Sequence, residues 1–422
     1  KKKGLKKGIF HSDFWGDRNS KLKLCLNNSI KTVEFSKLKP NSPFYLFVPQ
    51  NQDLRAKYEK YWSIKKIFDV NSVGIVSSDD NLTVAFNKKE LQSKFQKLRN
   101  TELHFIKQEF NLQQTYFDNR RDFFSKMKDK NIEIKRISYR PFDERVIWWD
   151  SELLERSREN VMKHFEKDNI GIVTVRQVAE GIFNHVFISD TLINYRLTLS
   201  NKGGAYLFPL YRYNGNGHGN RNNENYLFKE DDKKDNFTED FRKFIKKLYK
   251  KEFSVEQIAS YIYAILHSDT YRKKYSQFLK MDFPRIFFVD NESIFEKISK
   301  LGLELLDRHL FRKTFAFKEL AELGEYKGDG DNIVIKPEFR IIQSDNNIYQ
   351  RLYINKTQYF ETVTEDVYNF QIGGYQVLDK YLKDRKGRSI ADELFKITEI
   401  IKTLHFTIEQ MKKIDNVVKE WI

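Results

Sequence analysis

The sequence predicts an α+β fold: a mixed β-rich region with helical subdomains and a C-terminal helix. Three observations carry this. Residues 131–213 hold five runs rich in Val, Ile, Tyr, Phe and Trp, residues suited to a pleated, half-buried surface. Residues 88–128 and 237–320 are charged, with apolar residues at helical spacing. Residues 389–420 read as one long amphipathic helix. With 40% hydrophobic and 15% aromatic residues among 422, the chain has material for a large core, which excludes a disordered polymer.

The elements follow in order. GIFHSDFW is strand-like, and DRNSKLKLCL is a helix with Asp17 near its N-terminus. PFYLFVP reads as a short buried strand between Pro43 and Pro49. NQDLRAKYEKYW is a second helix capped near Asn51. SVGIVSS and LTVAFN are two more strands. Over 88–128, Leu91, Phe95, Leu98, Phe105, Phe110, Phe117 and Phe124 line one helical side. IEIKRISYRPF, RVIWWD, IGIVTVRQV, NHVFISD and AYLFPLYRY are strands, interrupted by a helix from about Glu152 to Lys167. Residues 214–236 are Gly/Asn-rich, then charged, and read as a surface loop. Pro284 breaks the helical run 237–320, and residues 330–372 return to strands. This gives an α/β segment (1–90), a helical spacer (91–130), a β-rich region (131–235) and a helical and β C-terminal part (236–422).

Charge narrows the function. Lys and Arg outnumber Asp and Glu by 75 to 59, a net charge of +16, which favours nucleic acid or another anionic surface as partner. The single cysteine, Cys25, excludes a disulfide framework and a cysteine zinc site, and fits a reducing cytoplasm. Eight scattered histidines form no metal-binding pair, so no metal is expected. No apolar run is long enough to span a bilayer, and KKKGLKK leads into a strand rather than a signal sequence. There is no P-loop. Neither the Asp/Asn-Pro-Pro-aromatic grip of an amino-methyltransferase nor its Gly-rich AdoMet loop occurs. Glu133-Ile134-Lys135, with Asp129 upstream, echoes half of a metal-dependent nuclease motif, a pattern that arises often by chance. Asp231-Asp232 near His218 sits in the Gly/Asn-rich loop, a poor place for preorganised chemistry. No catalytic residue is assigned.

Four segments carry candidate contacts. In QIGGYQVLDKYLKDRKGR, Gly373 and Gly374 supply a turn and Tyr375, Val377, Leu378, Tyr381 and Leu382 form the apolar side of a short helix. Lys380, Lys383, Arg385, Lys386 and Arg388 cluster at its end, suited to phosphate or simply to the helix dipole. In YRPFDERVIWWD, Arg140 and Arg145 match phosphate or guanine-edge geometry, or else join a structural network with Asp143 and Asp150. In IVTVRQVAEGIFNHVF, Arg176, Gln177, Asn184 and His185 are of the types that read base edges, unless alternation merely turns them to solvent. YINKTQYF presents Lys356 at a turn, for phosphate or as a plain hairpin.

Several of these segments, in this order, resemble the C-terminal part of Type ISP and related Type IIG restriction–modification enzymes. The residues that carry the resemblance are FHSDFWGDRNSKL, NSPFYLFVPQNQDLRAKYEKYW, NSVGIVSSDDNLTVAF, YRPFDERVIWWD, and VRQV followed by FNHVFISD. LFPLY, YIYAILHSDTYRKKYSQFLKMDFPRIFF, YINKTQYF and IGGYQVLDKYLKDRKGR complete it, spanning nearly the whole chain. Val146-Ile147-Trp148-Trp149 departs from the family's Tyr-rich run at that point, and the segment after WD is short. The resemblance implies a target-recognition module for duplex DNA, non-catalytic alone. It implies an adenine-N6 methyltransferase domain upstream in the same polypeptide, adjoining 1–90 and binding AdoMet; no cofactor belongs to this chain. Two other readings stay open: a divergent nuclease or methyltransferase, and a structural coupler between motor and methyltransferase that never touches DNA.

Overall fold

Residues 8–42, 45–131, 133–198, 203–213, 233–313, 320–344 and 347–422 are described by a computed structural model. The fold is α+β, with several small sheets and helices throughout. Compaction divides the chain into two units, Lys1–Lys60 and Tyr61–Ile422.

In the first unit, Ile9–His11 pairs antiparallel with Ser36–Leu38. The helix Arg18–Asn27 starts where the Asp17 carboxylate accepts from the Ser20 amide at 2.7 Å. Asn51 caps Gln52–Glu59 in the same way. Among the described residues of PFYLFVP the expected strand does not form. Pro43 and Phe44 lie outside the described residues, while Tyr45 has φ +46° and Tyr45, Phe47 and Val48 are exposed. A left-handed residue close to a proline that lacks an N–H cannot hold a ladder.

The second unit is built on three four-stranded sheets. In one, the hairpin Ile134–Arg140/Asp143–Trp148 is flanked by Leu192–Ile193, parallel, and Val84–Ala85, antiparallel. In the next, the wholly buried strand Gly171–Val175 lies between Phe187–Ser189 and Ala205–Pro209, with Ser72–Val73 at the edge. The third has the order Glu325–Lys327, Tyr359–Glu361, Asn347–Tyr353, Glu338–Ser344. A large apolar core joins residues of all three to the C-terminal helix.

Three expected elements shrink. LTVAFN keeps only Val84–Ala85 as strand, because Asp79 caps a helical turn at Asp80–Thr83. The helix expected over Glu152–Lys167 is reduced to Glu159–Met162 and a 3-10 turn. The Asp150 carboxylate captures the amides of Glu152 and Leu153, and Arg158 is left-handed. The charged run 88–128 is four short helices: Lys88–Asn100, Leu103–Glu109, Gln114–Asp118 and Arg121–Ser125. Leu91, Leu98, Phe117 and Phe124 are buried in its own small core, but Phe105 is 52% exposed.

Helices Val255–His267, Glu292–His309 and Leu394–Val418 pack together. A Cβ on Gly302 would lie 1.9 Å from the carbonyl oxygen of Ser260, so glycine permits the first two to approach. Gly302→Ala would add about 1 kcal/mol of helix propensity. Overpacking against backbone costs roughly 1–3 kcal/mol or more, and here the neighbouring backbone belongs to Ser260, in a stretch buried from Ile258 to His267 that has little room to yield. The clash wins, so the variant is expected to have a lower urea midpoint. An unchanged midpoint would show that the helices part at no cost.

Candidate nucleic-acid interface

The sequence candidates fall into three environments. The first is a buried ion network. Pro141 and Phe142 (φ +62°) turn the Ile134–Arg140/Asp143–Trp148 hairpin and set Asp143 at its head. Asp143 is 1% exposed. Its carboxylate accepts from Arg145 at 2.8 Å and from Arg385 at 3.0 Å. Burial alone would raise its pKa, but the Arg385 and Arg145 guanidinia outweigh burial and hold it below the usual carboxylate range. Arg385 is 3% exposed, pairs also with Glu393 at 2.7 Å and stacks on the Tyr381 ring. Arg145 reaches Asp384 at 3.2 Å. Arg388 pairs with Glu90 over the Phe86 ring.

This arrangement corrects several phosphate candidates. Arg385 and Arg145 point into the network, which ties the hairpin to the turn after the Val377–Lys383 helix. Arg140 is buried too, and donates to the Tyr139 carbonyl and to Asn194 rather than to Asp143 or Asp150. An arginine enclosed this way cannot reach a phosphate without breaking the fold around it. Lys383 is exposed but pairs with Asp379 at 2.7 Å.

The second environment is the loop leaving the Gly171–Val175 strand. Arg176 is 54% exposed and pairs with Asp282 at 3.0 Å. Gln177 donates to the Met281 carbonyl at 3.1 Å. Val178 and Phe183 are buried and fix the loop's two flanks, leaving Gly181 and Ile182 at an exposed tip. Asn184 and His185, placed beside these as base readers, are instead buried. The Gly373 amide donates to the Asn184 carbonyl at 3.1 Å, and a Cβ at Gly373 (φ +62°) would lie 2.6 Å from the Thr198 carbonyl oxygen. The Gly-Gly turn and the Asn184-His185 pair are therefore one packed joint. Glycine is needed there for both φ and space.

The third environment is a junction of three turns. Val334 bridges to Lys386, and the amides of Ile335 and Lys336 both donate to the Ile354 carbonyl. The buried Gln358 amide locks the junction: its oxygen accepts from the Asn332 amide and the Asn355 side chain, and its nitrogen donates to Asn332 Oδ1 at 2.7 Å. Three exposed lysines, Lys336, Lys356 and Lys386, leave this rigid base. Among the described residues none of the three forms an ion pair. The exposed carboxylates of Asp329 and Asp331 stand in the neighbouring turn and offset part of the charge. Sequence reading singled out Lys356 and Lys386 but missed Lys336. The signal available was Lys336-Pro337, set directly before the strand-like run EFRIIQS.

Among the described residues no group of His, Cys, Asp or Glu is disposed to hold a metal ion, and no helix is long and apolar enough to cross a membrane. Lys135 pairs with Glu133 and Glu166.

The α+β chain thus presents exposed lysines on a rigid junction of turns and, separately, a polar loop rooted on a buried strand, an arrangement suited to contact with a polyanion. The chain belongs to the Type ISP C-terminal specificity domain family, whose profile matches residues 66–413. No curated protein sequence matches it significantly. Three solved structures share the fold at 18% identity. A nuclease-deletion mutant of the Type ISP restriction–modification enzyme LlaGI, in complex with a DNA substrate mimic, has a TM-score of 0.64 over 94% of this chain and 32% of its own. DrdV in its cryo-EM complex with DNA has 0.68, over 97% and 42%. The ATP-dependent Type ISP enzyme LlaBIII bound to DNA has 0.67, over 94% and 27%. This chain thus spans less than half the length of each.

Proposed function

We propose that this chain recognises a specific sequence in duplex DNA on behalf of an adenine-N6 methyltransferase domain in the same polypeptide, within a restriction–modification enzyme of the cytoplasm. The observation that carries the reading is the specificity-domain match over residues 66–413. The net charge of +16 and the lysine-bearing junction agree with it. Lys356 and Lys386 contact phosphates and set register, which carries no sequence information by itself. Arg176 and Gln177 read bases. The Arg176–Asp282 pair is exposed on both sides and worth no more than about 1 kcal/mol, so a guanine edge can displace it. Asn184 and His185 hold this loop against the Gly373 turn rather than touching DNA. AdoMet and the flipped adenine belong to the methyltransferase domain, and this chain performs no chemistry alone.

Titration of a labelled duplex at several salt concentrations tests the reading. Affinity should fall steeply with salt. Replacing Lys356 and Lys386 together by Ala should weaken binding to all sequences alike and reduce the log–log salt slope by about 0.9 per lost contact. No binding even at low salt would overturn DNA contact and favour a structural coupler.

A further inference from the structure

The hairpin of the third sheet extends beyond its sheet. Glu338–Ser344 and Asn347–Tyr353 pair along their full length, from Glu338↔Tyr353 to Ser344↔Asn347. The next strand, Tyr359–Glu361, pairs with this hairpin only at Arg351–Tyr353. The last lateral tether is at Gln350, whose carbonyl accepts from the Val363 amide and whose side chain accepts from the Glu365 amide. Past it, three residue pairs continue as a two-stranded ribbon with no third strand alongside among the described residues. At about 3.4 Å per residue they reach about 10 Å.

The ribbon's root is stiff. Phe339 stacks on Tyr368 at 4.8 Å, Leu352 is fully buried, and Arg351 pairs with Glu361 at 2.8 Å. Its outer part differs in chemistry from the rest of this basic chain. From Ile341 to Gln350 there is no Lys or Arg; the sequence is IIQSDNNIYQ, with Asp345 its single charge. One face carries Ile341, Gln343 and Ile348, with Ile341 56% and Ile348 67% exposed. Exposed isoleucines on an edge ribbon are unfavourable unless something covers them. The cations sit at the root instead: Lys336 just before the first strand and Lys356 just after the second.

We infer that this ribbon enters the major groove of duplex DNA and reads base edges there. The inference rests on the DNA reading above and adds a reader to it. A two-stranded ribbon fits that groove, whose depth of about 8.5 Å the outer segment can span. Amide side chains such as Gln343 recognise adenine, and apolar groups such as Ile348 meet the thymine methyl. A ribbon without Lys or Arg belongs on the groove floor, where phosphates are distant. Lysines at its root belong at the groove's rim, where phosphates are close.

The experiment is selection from a randomised duplex library by the full chain, wild type and a Gln343→Ala/Ile348→Ala variant, followed by binding to the selected and to random duplexes. The variant should keep the wild-type melting temperature, affinity for random duplex and salt slope. It should lose preference at one or two adjacent base pairs, by about 5- to 150-fold, the range of a lost base contact. A variant that selects the same sequence with the same preference overturns the ribbon as reader while DNA recognition stands. A uniform loss on every sequence makes it a backbone contact and also overturns it, as does a wild type that binds without preference. A wild type that binds no duplex overturns the DNA reading itself, and the ribbon with it.

Discussion

Asp143→Asn should destabilise the protein by about 3–5 kcal/mol, the usual cost of removing one partner from a buried ion pair. The substitution keeps the side-chain shape and removes its charge. It leaves Arg385 facing the site with only Glu393 to neutralise it, and Arg145 with only Asp384. No water can replace the lost carboxylate, because Asp143 and Arg385 are almost wholly enclosed. The check is the urea midpoint at pH 7. Because the folded carboxyl titrates below its usual range, its contribution is complete above about pH 4 and is lost as pH falls through the lower folded value. The variant should therefore approach the wild type only in strong acid. A midpoint within error of wild type at pH 7 would show that the network contributes nothing net. The same network links the hairpin to the turn carrying Lys386, so DNA affinity should also fall in the folded variant.

Much of the fold was written in local pattern. The Asp17 and Asn51 caps, the buried strand IGIVTV and the closing helix depend on neighbours in sequence, and each stands close to where pattern puts it. What failed was set by distant partners or by one backbone angle. PFYLFVP has the composition of a strand but no ladder to join, and Arg158 breaks a helix through a left-handed φ that composition does not announce. The site was less legible. Arg385 and Lys386 are adjacent and chemically alike, yet one is buried against Asp143, 242 residues away in sequence, and the other is exposed. Only the fold separates them. The contact between Gly373 and Asn184 likewise joins two segments that sequence reading singled out separately.

Acidification from pH 7 to pH 5 should cost the folded state about 2 kcal/mol through His309 alone. His309 is the last residue of Glu292–His309, and its ring lies where this helix meets Val255–His267 and Leu394–Val418. One ring nitrogen shares a hydrogen bond with the Tyr263 hydroxyl at 2.6 Å and the other with Thr407 Oγ1 at 2.8 Å. The Thr407 hydroxyl donates to the Thr403 carbonyl at 2.7 Å, so it accepts from His309 Nε2–H, and the Tyr263 hydroxyl donates to Nδ1; both partners suit a neutral ring. Phe142, Phe187 and His267 complete the wall. A helix C-terminus favours a charged histidine, by up to about 2 kcal/mol, but burial opposes it and wins, pushing His309 down to about 3. The unfolded chain takes up this proton near pH 6.5 and the folded chain does not until about 3. Stability is thus fully present above 6.5 and declines as pH falls between those values. His267, lowered by its own burial and then by Arg272 and His309, acts in the same direction. At pH 5 most carboxylates are still ionised, so the histidines dominate the change. The measurement is the urea midpoint at pH 7 and pH 5 for the wild type and for His309→Gln, which cannot titrate. The wild type should lose more than the variant by roughly the share assigned to His309. Equal losses in the two proteins would place the acid sensitivity elsewhere and remove His309 from the account.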